Sequence, residues 1–209
     1  MKMNKTALVL ILLFVCSCVF ASSVSFSGGY TKVSLQDGDH RVLLSEGANV
    51  KTDDVDLEAE SIELYGKDYS FVNCTGNVKV SEKKRNISLT CKDLLYDRSN
   101  NTLLSDGWIE IDDPGNDAHL SASWFEYNTD TSVMKLQMRA KIKKDTDSGL
   151  LSCTADSIEY NADDQTLTLK GSANVTWGED SYSASMIIVD IDTEDISLHG
   201  SISGEVHGD

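Results

Sequence analysis

Residues 151–175 read LSCTADSIEYNADDQTLTLKGSANV, and versions of this segment recur along almost the whole chain. Apolar and polar residues alternate around Ile158 and again around Leu167, with the polar group 161–164 between them. Such alternation is typical of half-buried β-strands, and Asn and Asp favour tight turns because they tolerate positive φ. The segment therefore predicts two short strands joined by a turn, with a further strand starting after Gly171.

The same pattern returns about every 30 residues, in five full copies between a leading and a trailing partial one. The first strand of each copy opens with a small residue at Ala59, Cys91, Ala122, Ala155 and Ala184. Apolar residues follow at Ile62, Leu94, Phe125, Ile158 and Ile187, and then at Leu64, Tyr96, Tyr127, Tyr160 and Val189. The next strand is marked, at spacings of 28, 31, 33, 33 and 31 residues, by Val50, Val78, Ile109, Ile142, Val175 and Val206. A period of this length indicates units that bury their apolar faces against their neighbours.

The repeats predict a single all-β domain over residues 22–209. No segment carries apolar residues at helical spacing for three turns, and Pro114 stands in a polar loop. Residues 24–44 show a weaker alternation around Val33, followed by a hairpin turn at 37–39, and we interpret them as the half-repeat that begins the stack. The expected product is an elongated roll of stacked antiparallel strands with an apolar interior and open edges at its first and last strands.

Residues 1–21 have the layout of a secretory signal peptide. Lys2 and Lys5 precede the apolar run Ala7–Cys16, and small residues follow. The apolar core is short for a membrane-spanning helix, which needs about 20 residues. Cleavage after residue 21 and an exported protein are our first interpretation. A lipoprotein signal cut before Cys18 and an uncleaved inner-membrane anchor remain as alternatives.

Charge and motifs argue against several classes of function. Removal of residues 1–21 takes away two lysines and no acidic residue, which moves the net charge from −16 to −18 and disfavours nucleic acid as a partner. We expect no enzyme, because no nucleophile or metalloprotease motif accompanies the histidines His40, His119, His199 and His207. The acidic segments 145–149 and 190–195 do not match a calcium loop and are interpreted as solvated turns, so no metal or cofactor is predicted.

Three cysteines, Cys74, Cys91 and Cys153, follow the signal segment. Cys91 takes the repeated Ala position, which favours a buried small side chain. The number is odd, and export permits disulfides, so a bridge between Cys74 and Cys91 remains an alternative.

Three recurring motifs carry a resemblance to a known family. They are a Gly-x-Val step (Gly76-Asn77-Val78, Gly107-Trp108-Ile109), a Leu-x-Ala/Cys step (Leu57-Glu58-Ala59, Leu89-Thr90-Cys91, Leu120-Ser121-Ala122) and an Ile-Glu-Tyr-Asn turn. In phase over about Ser45 to Val206, these motifs resemble the OstA-like repeats of the LptA family of periplasmic lipopolysaccharide transport proteins. The fourth copy departs from the pattern, because residues 139–142 read RAKI where Gly-x-Val would stand.

The resemblance implies a β-jellyroll whose hydrophobic groove shields the acyl chains of lipopolysaccharide or a related envelope glycolipid. It also implies a bridge between the inner and outer membranes, built by edge-strand pairing with LptC-like and LptD-like proteins or head to tail with further copies. The alternatives are an LptC-like anchored or lipoprotein component, and a structural or adhesive repeat protein without lipid cargo.

The inward residues of successive repeats are the predicted lipid contacts: Val78, Leu89, Leu94, Ile109, Leu120, Phe125, Ile142, Ile158 and Val175. For each of them, filling a closed core remains the alternative. The repeated tyrosines Tyr96, Tyr127 and Tyr160 are interpreted as packing residues, with a place at the groove mouth as the alternative.

Overall fold

The computed structural model describes residues 24–36 and 39–207, which form almost only β-strands. The strands are β1 (Ser25–Ser27), β2 (Tyr30–Gln36), β3 (Asp39–Lys51), β4 (Val55–Tyr65), β5 (Phe71–Glu82), β6 (Ile87–Asp97), β7 (Thr102–Asp113), β8 (Ala118–Asn128), β9 (Val133–Thr146), β10 (Gly149–Asn161), β11 (Thr166–Trp177), β12 (Asp180–Asp190), β13 (Asp195–His199) and β14 (Ser203–Glu205). A short 3-10 helix, Lys67–Tyr69, joins β4 to β5. The predicted all-β jellyroll of stacked antiparallel strands is confirmed.

The predicted signal segment, residues 1–21, lies outside the described residues, and so does part of the predicted turn at 37–39. The strands on either side of that turn, β2 and β3, pair with each other as expected. In the part of the chain that the structure covers, no helix has the length and apolar character needed to cross a membrane.

All the strands belong to one antiparallel sheet in which β3 to β13 pair in the order of the chain. The order runs from β3 to β13 without a crossover. At one end β1 and β2 both pair with β3, and at the other end β13 and β14 both pair with β12. Within residues 24–36 and 39–207 these short strands have no further partner, so they form the two open edges that the repeats predicted.

Each pair of neighbouring long strands has a β-bulge at its middle, and the extra residue always lies on β3, β5, β7, β9 or β11. The register of β10 with β11, for example, shifts between Thr154 and Ser157. Two consecutive residues with positive φ stand at the bulge of β11, Gly171 at 75° and Ser172 at 45°. The segment after Gly171 is thus the second half of the same strand, and the prediction of a separate strand there was wrong. Alternation continues through a bulge, so sequence periodicity does not separate a bent strand from two strands.

Strand pairing confirms one row of the predicted repeat and corrects another. The small residues that open each copy lie in one row, with Ala155 opposite Ala140 and Ala184 opposite Ala173. Cys91 takes the same place, opposite Val78. Val78 therefore corresponds to Ala140, and the predicted alignment with Ile142 was two residues out of phase.

The corrected alignment of the repeats explains why residues 139–142 do not show the Gly-x-Val step. The counterpart of Gly76 is Met138, which adopts a φ of 58° at the bulge, and Arg139 follows at 62°. A positive φ strains a non-glycine residue, and the pairing on both sides of this bulge holds it there. At the trailing end, Val206 lies beyond β14 and is exposed, so it does not start a strand.

The bulges divide the sheet into two arms. Arm A runs from the bulges to the turns at 52–54, 83–86, 114–117, 147–148 and 178–179. Arm B runs from the bulges to the turns at 66–70, 98–101, 129–132, 162–165 and 191–194. Apolar residues on one face of both arms are buried in a single core cluster. Because one sheet contains both arms, this face is buried by folding the sheet onto itself.

The three described cysteines are free thiols, and no bridge joins Cys74 to Cys91. Cys74 and Cys153 are fully buried, but Cys91 is half-buried, which corrects the expectation of a buried side chain there. The Cys91 Sγ donates to the Asp93 carbonyl oxygen at 3.4 Å. Burial raises the thiol pKa of both Cys74 and Cys153 from the ordinary value of 9.0 to about 12.

We predict that Gly171→Ala destabilises the fold more than Gly47→Ala. Both glycines stand in bulges with positive φ, so each substitution carries a conformational cost of about 1–2 kcal/mol. A Cβ at Gly47 would meet no atom within 4 Å, whereas one at Gly171 would lie 3.0 Å from both Cβ and Cγ of Asp156. That overlap adds about 1–3 kcal/mol, measurable by urea denaturation. Equal losses of stability in the two variants would contradict this account of the bulge.

The thiols should react in an order set by burial. At about pH 8 iodoacetamide is expected to modify Cys91 in the native protein, and Cys74 and Cys153 only after unfolding in urea, because reaction requires an accessible thiolate. Peptide mass spectrometry measures the extent at each site. Native-state modification of Cys153 ahead of Cys91 would contradict the described packing.

Candidate functional site

The predicted contact residues come together on the inner face of the folded sheet. Each of them is at most 2% exposed and belongs to the core cluster. Arm A supplies Val78, Leu89, Ile109, Leu120, Ile142 and Val175, and arm B supplies Leu94, Phe125 and Ile158. The structure therefore gathers all nine residues into one apolar interior. Their contact with lipid remains a prediction.

The inner row of arm B is apolar from β8 to β11, and the buried Ser105, which pairs with Phe125, interrupts it at β7. In arm B, Phe125 on β8 pairs with Leu136 on β9, and Leu136 pairs in turn with Ile158 on β10. Ile158 then pairs with Leu169 on β11. Side chains on one face of neighbouring strands lie about 4.5–5.5 Å apart, so these residues form a continuous apolar row across the sheet. The row runs perpendicular to the strands, along the axis of the roll.

The repeated tyrosines form a second row, nearer the turns of arm B. Tyr96, Tyr127 and Tyr160 are each at most 1% exposed. The Tyr96 hydroxyl donates to Asn101 Oδ1 at 3.5 Å, and Gln165 Nε2 donates to the Tyr160 hydroxyl at 3.3 Å. Burial raises the pKa of both Tyr96 and Tyr160 to about 12. The structure therefore places these rings inside, with their hydroxyl groups toward the turns.

The interior becomes polar where the turns of the two arms meet. Arm A carries a row of buried polar side chains at the equivalent positions Thr52, Glu82, Asp113 and Lys144. The Glu82 carboxylate accepts the backbone N–H groups of Lys84 and Arg85 at 2.8 and 2.9 Å, and so it caps its own turn. Asp113 Oδ2 accepts from Asn116 Nδ2 at 2.7 Å. We call this boundary, where the arm A turns face the arm B turns, the mouth.

Side chains cross the mouth and connect the two arms. Arg85 Nη2 lies 2.6 Å from Asp163 Oδ1, although 78 residues separate them in sequence. Gln165 Nε2 donates to Asn116 Oδ1 at 2.8 Å. Ser148 Oγ of arm A donates to Glu194 Oε1 of arm B.

Sequence reasoning missed these cross-mouth contacts. Nothing in the repeat pattern indicates which turn of arm A faces which turn of arm B, because the pairing depends on how far the sheet bends. The only available signal was that Arg85 and Asp163 both lie in predicted polar turns. Position in a turn predicts exposure, and the structure instead buries most of the Arg85 side chain, which is 16% exposed.

Exposed apolar side chains are concentrated at the two open edges. The N-terminal edge presents Phe26, Tyr30, Val33 and Leu35, and the region after β13 presents Ile202 and Val206. A third exposed apolar group lies at the outer bend, where Arg139 stacks over the Trp108 ring at 5.4 Å from its centroid. Backbone groups at an open sheet edge offer hydrogen bonds to another strand, and these apolar side chains add contact area there.

The titratable side chains outside the mouth are dispersed. Across residues 24–36 and 39–207, no cluster of three or more His, Cys, Asp or Glu side chains is arranged to hold a metal ion. His119 is exposed and lies 2.7 Å from Asp112 Oδ1. His40 lies beside the Tyr69 ring, and His207 donates its backbone N–H to Asp180 Oδ1 at 2.8 Å.

Burial of the tyrosines predicts a loss of stability in alkali. The folded-state pKa of Tyr160, about 12, exceeds its ordinary value of 10.0. The protonated hydroxyl therefore makes its full contribution to the free energy of unfolding below about pH 10, and this contribution is lost as the pH rises toward 12. When the pH is raised from about 8 to about 11, the free energy of unfolding measured in urea should fall in both proteins. The fall should be about 1 kcal/mol smaller in Tyr160→Phe than in the unmodified protein. Identical pH dependence in both proteins would contradict a buried, protonated hydroxyl.

Comparison with known proteins places the chain in a family. A profile of the family described as LptA/(LptD N-terminal domain) LPS transport protein matches residues 31–195. Among solved structures, LptH, the LptA homologous periplasmic component of the conserved lipopolysaccharide transport device from Pseudomonas aeruginosa, matches at 8% identity over 89% of this chain and 96% of that chain. Its TM-score of 0.28 is too low to support an argument. No curated protein matches the chain. Because the profile spans most of the sequence and all the long strands, the chain belongs to the LptA/LptD N-terminal domain family of LPS transport proteins.

Proposed function

We propose that the protein binds lipopolysaccharide or a related envelope glycolipid by shielding its acyl chains between the two arms. The observation that carries the proposal is the continuous apolar inner face, to which every long strand from β3 to β12 contributes. The proposed contacts are the nine inward residues already described, among them Leu94, Phe125 and Ile158. Membership of an LPS transport family supports the same class of cargo.

The chemistry of this function is binding and passage. Transfer of an acyl chain from water to an apolar environment gains about 0.8 kcal/mol per methylene. A long lipid would therefore be held firmly. Because most successive repeats present similar apolar rows, an acyl chain that moves from one repeat to the next exchanges similar contacts, and the net free energy of that step is small.

The open edges support a role as one element of a longer assembly. Strands β1 and β2 at one end and β13 and β14 at the other leave backbone groups available for a further strand. We infer that LptC-like and LptD-like proteins, or further copies of this chain head to tail, pair with these edges. The interiors would then join into one path between the inner and outer membranes.

We propose that the protein is periplasmic, and both the composition of residues 1–21 and membership of the family support this location. Export with cleavage after residue 21, as a single domain over 22–209, is the form that we propose. A lipoprotein anchored through Cys18 and an anchored LptC-like component differ from it only at the N-terminus. A strongly acidic chain with a net charge of −16 would repel nucleic acid, so we propose none as a partner.

Photo-crosslinking tests the lipid-binding proposal. A light-activated residue placed singly at Leu94, Phe125 or Ile158 is expected to crosslink to lipopolysaccharide, because these side chains face the interior. Glu159 is the matched control, since it neighbours Ile158 in β10 and is exposed on the opposite face. Mass spectrometry of the adducts in cells, or with purified lipopolysaccharide, measures the yield at each position.

Crosslinks to lipid from the three inward positions and none from Glu159 would establish the interior as the binding site. Crosslinks only to neighbouring protein segments would mean a permanently filled core. That result would reject lipid transport in favour of the structural or adhesive alternative.

A further inference from the structure

The interior is closed to solvent in the described structure, although the proposed function needs an acyl chain to reach it. Phe125 and Ile158 are fully buried, and at the mouth Arg85 contacts Asp163 and Gln165 contacts Asn116. We propose that these cross-mouth contacts are a latch, with the Arg85–Asp163 ion pair as its central element, and that opening the latch admits an acyl chain sideways into the interior. This inference rests on the proposed lipid binding.

The central pair is built from a constrained turn and an exposed partner. Two backbone N–H groups of the turn 83–86 are capped by the Glu82 carboxylate, which holds this turn in shape. Arg85 extends from it to reach Asp163 Oδ1 at 2.6 Å, and the Asp163 side chain is 54% exposed. Because water reaches the carboxylate, the pair is weak in energy and can break without loss of any ladder hydrogen bond.

The other contacts have the same character. The amide of Gln165 reaches Asn116 Oδ1, and the hydroxyl of Ser148 reaches Glu194. Each contact joins one side chain of an arm A turn to one side chain of an arm B turn. By contrast, turns of the same arm are joined through their backbones, as Ala162 N donates to Ser132 O at 3.1 Å. The arms are therefore internally rigid and only loosely joined to each other at the mouth.

Polar groups beneath the latch favour its opening. Asp113 Oδ1 and the Tyr127 hydroxyl are buried and make no hydrogen bond with the described residues. Burial raises the pKa of Tyr127. The charges of Glu82 and Asp113 raise this pKa further, and the charge of Arg85 lowers it. An unsatisfied buried polar group destabilises the closed form, and hydration on opening removes that cost. Opening therefore hydrates this polar rim before it exposes the apolar rows behind it.

Hydrogen exchange of the full chain without lipid tests the latch itself. Asp163→Asn removes the charge that crosses the mouth, and Glu126→Gln is the matched control, since Glu126 pairs with Lys135 at 2.8 Å between the neighbouring strands β8 and β9. Loss of one exposed ion pair should increase exchange at the turns 83–86 and 162–165 by about two- to five-fold in Asp163→Asn. The control should leave both turns unchanged. Equal exchange in the two variants would overturn the latch.

A lipid-loading experiment tests what the latch admits. Arg85→Cys and Asp163→Cys, combined with Cys91→Ala, can be joined by a bismaleimide, while Cys74 and Cys153 stay buried. The probe is lipopolysaccharide micelles, with a light-activated residue at Phe125. The bridged protein should crosslink lipid more slowly than its unbridged form. The Asp163→Asn variant should crosslink lipid faster than the Glu126→Gln variant.

The outcomes separate the two proposals. A bridged protein that loads lipid at the unbridged rate would overturn sideways admission through the mouth, and would assign access to the open ends of the roll. Absence of interior lipid crosslinks from every variant, bridged or not, would instead count against lipid binding, that is, against the proposed function.

Discussion

The whole structure depends on one constraint: a single sheet with one apolar face has to bury that face against itself. The described residues contribute no second layer of helices or strands to cover it. The sheet therefore bends across the middle of its long strands, and the β-bulges on β3, β5, β7, β9 and β11, with their positive φ angles, are the means of bending. Where the bulge lacks glycine, as at Met138, the strain is retained because the pairing on both sides leaves no alternative.

Bending creates two chemically different regions in one interior. Near the bulges and along both arms most inner residues are apolar, with the buried Ser105 as an exception. At the mouth the inner residues become polar, with Glu82 and Asp113 buried in arm A and Arg85 extending from arm A to Asp163 of arm B. The apolar interior and the solvent are thus separated by a polar boundary, at which side chains make the described contacts between the two arms.

Much of the fold follows from patterns that short segments carry by themselves. The alternation around Ile158 and the polar turn after it predicted real strands and a real turn, because exposure on a pleated strand has a period of two. The row of small residues from Ala59 to Ala184 was also placed correctly in the pairing. Errors occurred where two different structures share one pattern. The half-strands around Gly171 looked like separate strands, and Val50 and Val78 looked equivalent although the register sets them two residues apart.

The sequence by itself determined the all-β class, the period of the repeat, the inward residues and the family resemblance, since each depends on residues close together in the chain or on their recurrence. Only the tertiary structure decided how the arms meet. Arg85 and Asp163 are 78 residues apart and come together because the accumulated bend and twist of the strands between them bring their turns to the same point. Cross-mouth contacts, the half-burial of Cys91 and the closed state of the interior are therefore properties of the folded sheet as a whole, which no local pattern carries.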